Sequence, residues 1–184
     1  MEAFLVSTGV VALAEMGDKT QLLALMLAAR YRSHLAIVLG IALATVANHA
    51  LAAAFGGWIA SLVGAEAMRW ILAVSFIAMA AWVLVPDEAG DAGPGRFRLG
   101  VFGTTLVAFF LVEIGDKTQI ATVALAARYA AFGQVVAGTT LGMMIANVPA
   151  VYLGNRLLRR VPMRPLQILA AALFAVLGVL VLLA

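Results

Sequence analysis

Apolar runs long enough to cross a bilayer, about 20 residues each, alternate along this chain with short polar interruptions. Six such runs stand out, at 3–29, 35–63, 68–85, 99–127, 135–158 and 166–184. The breaks at 30–34, 64–67, 128–134 and 159–165 are brief. The remaining break, 86–98, reads PDEAGDAGPGRFR and alone has the glycine, proline and charge of a linker. The pattern predicts an all-α polytopic membrane protein with six transmembrane helices.

The polar residues inside these runs form a repeat. EMGDKTQ at 15–21 returns as EIGDKTQ at 113–119, 98 residues on, with six of seven positions identical. The match continues without a gap through LAARY at 27–31 and 125–129, then Gly40 with Gly138, Leu43 with Leu141 and Gly56 with Gly154. The expected organisation is a first three-helix repeat over 1–85, a cytoplasmic linker over 86–98, and a second three-helix repeat over 99–184. Three is an odd number, so the second repeat enters the membrane inverted. Many secondary transporters are built this way, with substrate and coupling ions bound near the midplane where the repeats meet.

Composition supports the membrane reading: of 184 residues, 65% are hydrophobic and 11% charged, whereas soluble domains average about half and a quarter. Mean hydropathy is +1.07. The formal charge of +3 comes from few, scattered basic residues, which argues against a nucleic-acid partner and for orientation signals. The first, third and fifth loop regions carry Arg30, Arg32, Arg96, Arg98, Arg156, Arg159, Arg160 and Arg164, against Arg69 and Arg128 in the second and fourth. That bias puts the first set in the cytoplasm and both termini on the outer face of a bacterial inner membrane. No cleavable signal peptide is expected, because the first apolar run lacks a positive leader and carries Glu15, Asp18 and Lys19 at its middle. With no cysteine in the chain, a metal must be held by oxygen or by His34 or His49.

The repeated motif places Glu15 and Asp18, and again Glu113 and Asp116, three apart on one helix face. Each charge at mid-membrane costs about 2.5–3.5 kcal/mol, so the two motifs are expected to face one another, away from lipid. A purely structural reading pairs Glu15 with Lys19 and Glu113 with Lys117 along each helix, but it leaves both aspartates unexplained. Four carboxylates and two ammonium groups carry a formal −2, which suits one divalent cation. Oxygen ligands suit Mg²⁺, Ca²⁺ and Mn²⁺. Thr20, Gln21, Thr118 and Gln119 lie within a turn of the acids, as further ligands or as interhelical hydrogen-bonding groups. Gly17 and Gly115 permit either tight packing or a local break.

The second and fifth spans supply neighbours. Gly40 and Ala44, like Gly138 and Gly142, have the small-xxx-small spacing of close helix contacts in lipid. Thr45, Asn48 and His49, and Asn147 ahead of Pro149, are placed to reach the acids. His49 aligns with Asn147, so the halves differ there, and it serves either as hydrogen-bonded structure or in metal or proton handling.

At these residues the sequence resembles the calcium/manganese:proton antiporter family of bacterial and Golgi membranes, whose signature is a twice-repeated E-x-G-D-[KR]-[TS]. Both copies are intact, at 15–20 and 113–118. The resemblance spans essentially the whole chain and implies exchange of Mn²⁺ or Ca²⁺ for protons, with manganese export in bacterial relatives. By the same resemblance Glu15, Asp18, Glu113 and Asp116 bind the cation and couple it to protons. The partners are then the divalent ion, protons and the lipid bilayer, with no resident cofactor and no enzymatic activity; no oligomeric state is assigned. Competing readings are a six-helix exporter of another cationic substrate, an intramembrane aspartyl protease using Asp18 and Asp116, and a structural membrane subunit.

Overall fold

A computed structural model of the chain describes residues 1–85, 99–154 and 163–183. Among the described residues the protein is all-helical, with eight helices and no strands. They are α1 (Glu2–Glu15), α2 (Lys19–Tyr31), α3 (His34–Leu62), α4 (Ala65–Val83), α5 (Gly100–Glu113), α6 (Lys117–Tyr129), α7 (Phe132–Leu153) and α8 (Met163–Leu183). Four of these, α3, α4, α7 and most of α8, are long and apolar enough to cross a membrane. The expected linker at 86–98, and Arg96, Arg98, Arg156, Arg159 and Arg160 with it, lie outside the described residues.

The first and fourth expected spans are not single helices. Each is a pair, α1 with α2 and α5 with α6, broken inside the repeated motif. The physical cause is one turn, made twice. Met16 (φ −66°, ψ 117°) and Gly17 (φ 86°) are closed by Asp18 N–H donating to Glu15 O at 3.1 Å. Ile114 (φ −62°, ψ 119°) and Gly115 (φ 77°) are closed by Asp116 N–H donating to Glu113 O at 3.1 Å. These are type II turns, whose third residue needs positive φ and so favours glycine. Glu15 therefore ends α1 and Asp18 is the N-cap of α2, so the two acids do not share one continuous helix face. The same correction applies to Glu113 and Asp116.

Helix lengths recur in order: 14, 13, 29 and 19 residues, then 14, 13, 22 and 21. The C-caps of α2 and α6 recur too, with Arg32 and Ala130 both in the left-handed region (φ 50° and 48°). The extensive helix interfaces join the first half to the second: α1 on α7, α4 on α8, and α3 on α5, α6 and α7. Phe76 of α4 meets Phe174 of α8 at 6.4 Å between ring centroids. Outward-facing positions are apolar, among them Leu35, Leu39, Leu43 and Leu51 of α3, and Trp58, Trp70 and Trp82 lie exposed near helix ends. Such an exterior suits lipid, with tryptophans at the interfacial level.

Small residues set the approach of helices. A Cβ on Gly138 would sit 2.5 Å from Phe4 O, one on Gly142 2.7 Å from Thr8 O, and one on Gly40 2.8 Å from Thr105 Cβ. One on Gly56 would overlap the Val123 carbonyl, whereas Gly57 has open space. Gly56→Ala should therefore cost about 1–3 kcal/mol by overpacking. Gly57→Ala should be neutral or stabilising by up to about 1 kcal/mol through helix propensity. Thermal unfolding of the two variants in detergent checks this; equal effects would contradict the α3–α6 contact.

Candidate metal centre

The two breaks bring the motifs together from opposite halves of the chain. Glu15 and Glu113 are fully buried, and Asp18 and Asp116 nearly so. Glu15, Glu113 and Asp116 each offer an oxygen within 4.8 Å of the other two. Hard divalent cations bind oxygen at about 2.0–2.6 Å, so oxygens at this spacing fit around one ion.

Ion pairs run across the halves. Lys19 Nζ lies 2.8 Å from Asp116 Oδ1, and Lys117 Nζ lies 2.9 Å from Asp18 Oδ1. The helix break explains this exchange of partners. Lys19 and Lys117 each open a new helix beyond the turn, and each meets the aspartate of the opposite motif. The pairs differ in exposure, however: the Lys117 side chain is 4% exposed and that of Lys19 is 30% exposed.

Hydrogen bonds hold the acids in place. Thr118 Oγ1 donates within reach of both Glu113 Oε2 (3.2 Å) and Asp116 Oδ2 (3.3 Å), and Thr118 N–H donates to Asp116 Oδ2 (3.4 Å). Gln21 Oε1 accepts from Gly17 N–H at 3.1 Å and Gln119 Oε1 from Gly115 N–H at 2.7 Å, which ties each glutamine back over its own turn. Their amide nitrogens reach equivalent positions in the opposite half: Gln21 Nε2 donates to Ala146 O at 2.9 Å, and Gln119 Nε2 to Asn48 Oδ1 at 3.5 Å. The glutamines thus serve as turn and interhelical bonds. Asn48 also donates to Phe110 O at 3.0 Å, one turn before Glu113.

The remaining residues singled out in the sequence are buried around this cluster. Asn147 donates to Met143 O at 3.1 Å and is a polar neighbour of Glu15, whose oxygens hold no hydrogen bond among the described residues. Thr20, Thr45 and His49 are fully buried, and among the described residues none of their side-chain polar atoms has a hydrogen-bond partner. The backbone acceptors Phe110 O and Ala146 O were not legible in the motif, since any residue type supplies a carbonyl. Buried hydroxyls of Ser7, Thr105, Thr122 and Thr139 were also passed over. Polar residues inside apolar runs were the available signal for them.

The model for the family described as divalent cation/proton antiporter GDT1 matches residues 3–91 and 101–184. A Vibrio cholerae protein named "Putative manganese exporter" is 47% identical over 175 residues, covering 95% of this chain and 87% of its own length. A GDT1-like protein of Synechocystis is 28% identical over 95% of this chain and 93% of its own length. GDT1-like protein 4 of Oryza sativa subsp. indica is 27% identical over 94% and 70% respectively. No solved structure gives a significant match. The resemblance drawn from the twice-repeated motif is borne out, and the chain belongs to the GDT1 family of divalent cation/proton antiporters, a membrane transporter and not an enzyme.

Proposed function

We propose that this chain exports Mn²⁺, with Ca²⁺ as a second substrate, from the bacterial cytoplasm across the inner membrane in exchange for protons. Glu15, Asp18, Glu113 and Asp116 bind the ion and accept the protons. The observation that carries this reading is the convergence of three buried carboxylate oxygens, two from one half and one from the other, within 4.8 Å. The relative whose name refers to manganese export favours Mn²⁺ and the outward direction.

Contacts at the helix ends favour six crossings in two inverted halves, 1–85 and 99–184 about the linker 86–98. The amino group of Met1 donates to Gln134 at 2.9 Å, and Tyr129 OH donates to Glu2 at 3.2 Å. At a cavity of about 730 Å³, Val63 and Glu66 meet Arg128 and Val181. His34 and Tyr152 stack at 5.1 Å elsewhere. The start of α1, the α3–α4 and α6–α7 junctions and the end of α8 thus gather at one end. The junctions around His34 and after Tyr152 gather at the other. A chain so threaded enters α1 from one end and α5 from the opposite one. The arginine bias then puts both termini outside.

Transport follows from competition for one set of oxygens. Metal binding to carboxylates displaces protons, and protons displace metal. The lysines act as tethered counter-cations. Lys19, partly exposed, can swing off Asp116 as the ion arrives while staying beside the cluster, and it returns when the ion departs.

In proteoliposomes with an imposed pH gradient, the wild-type protein should carry Mn²⁺ against the proton flow. Absence of both Mn²⁺ and Ca²⁺ flux would sink the antiport reading. Glu113→Gln and Asp116→Asn should stay folded and lose flux by more than about tenfold, a loss of roughly 1.4 kcal/mol or more in transition-state stabilisation. Loss of assembly in Asp116→Asn would favour a structural subunit instead.

The lysines give a sharper test. Lys117→Gln leaves Asp18 without its buried ion-pair partner and should lower stability by about 3–5 kcal/mol. Lys19→Gln should destabilise less, tighten Mn²⁺ binding and slow turnover. Weaker Mn²⁺ binding in Lys19→Gln would contradict the counter-cation role.

A further inference from the structure

At His49 the two halves carry different chemistry, and the hydrogen bonds among the described residues leave its ring unused. The chain has two histidines. His34, at the start of α3, stacks on Tyr152. His49, in the middle of α3, is 0% exposed, and neither ring nitrogen has a hydrogen-bond partner. A buried polar group left unsatisfied destabilises the fold, a cost that a ligand can remove.

The internal repeat bears on what His49 faces. It aligns His49 with Asn147, and Asn147 neighbours Glu15. Position 49 therefore stands to Glu113 as position 147 stands to Glu15. The adjacent Asn48, which leaves α3 about 100° around from His49, bonds both Phe110 O, one turn before Glu113, and the Gln119 side chain. This stretch of α3 packs on the end of α5 and the start of α6, which carry Glu113 and Asp116.

Imidazole nitrogen is a poor ligand for Ca²⁺ and Mg²⁺, which take oxygen shells. First-row transition ions accept it readily. We infer that His49 supplies one nitrogen ligand to the transported ion beside Glu113, and that this nitrogen selects Mn²⁺ over Ca²⁺ and Mg²⁺. The inference rests on the acid cluster being the transport site. Asn147 offers only an amide in the other half, so the site takes a single nitrogen.

Pulsed electron paramagnetic resonance on Mn²⁺ bound to the purified protein tests this, with histidine ¹⁵N-labelled to identify the source. The expected result is a nitrogen hyperfine coupling that changes with the label, persists in His34→Asn and disappears in His49→Asn. In competition binding, His49→Asn should lose about tenfold of its preference for Mn²⁺ over Ca²⁺, equivalent to 1.4 kcal/mol. Its Ca²⁺ affinity should move far less. Mn²⁺ binding to the wild-type protein that depends on Glu113 but shows no histidine nitrogen would overturn the inference and leave the acid site standing. If no saturable Mn²⁺ binding occurs at all, the acid-site reading falls and this inference falls with it. The wild-type spectrum decides the point even if His49→Asn fails to fold.

Discussion

Two lysines, each paired with the aspartate of the opposite motif, allow four carboxylates to sit in the protein interior. Buried ions are tolerated only when paired and hydrogen-bonded. Here the pairing is reciprocal, Lys19 with Asp116 and Lys117 with Asp18. Much else in the architecture serves that exchange. The type II turns at Gly17 and Gly115 start new helices at the lysines. The glutamines then bond across each turn and into the other half. The glycines of α3 and α7 let the backbones of the two halves come within van der Waals contact, which long side chains would prevent.

The halves are equivalent in backbone and unequal in detail. Asp116 accepts from Thr118 and caps α6, whereas Asp18 makes no side-chain cap on α2. Lys117 is sealed while Lys19 meets solvent. Asn48 aligns with Ala146, whose backbone carbonyl stands in as the acceptor for Gln21. Duplication gave one framework twice, and substitution at a few buried positions then made its two copies chemically different.

Much of this was legible in the sequence, for identifiable reasons. Hydropathy marked the long helices α3, α4, α7 and α8 to within a few residues, because burial in lipid constrains every outward position. The acids were legible because ionisable residues inside apolar runs are rare. The break was not. Glycine in a membrane helix fits close packing as well as a turn, and the sequence around Gly17 does not choose between them. The cross-pairing was hidden for the same reason: an unbroken helix makes Glu15 and Lys19 neighbours, whereas the turn lets each lysine meet the aspartate of the opposite motif. The family resemblance carried the function further than the helix geometry assumed for the motif.

The pairing also bears on how exchange would be kept tight. An aspartyl dyad needs two carboxyls sharing one proton, but Asp18 and Asp116 each hold a lysine, and the close oxygens belong to two glutamates and one aspartate. With both lysines in place, the four acids retain a formal −2. One divalent ion neutralises that charge, and so do two protons. A cluster carrying neither would expose two uncompensated charges to the apolar interior during any rearrangement of the halves. In the proposed cycle that penalty suppresses movement of the empty, deprotonated carrier, so the ion leaves only as protons take its place. Under that proposal, one divalent cation against two protons is the electroneutral exchange, matching the number of acids minus the number of lysines.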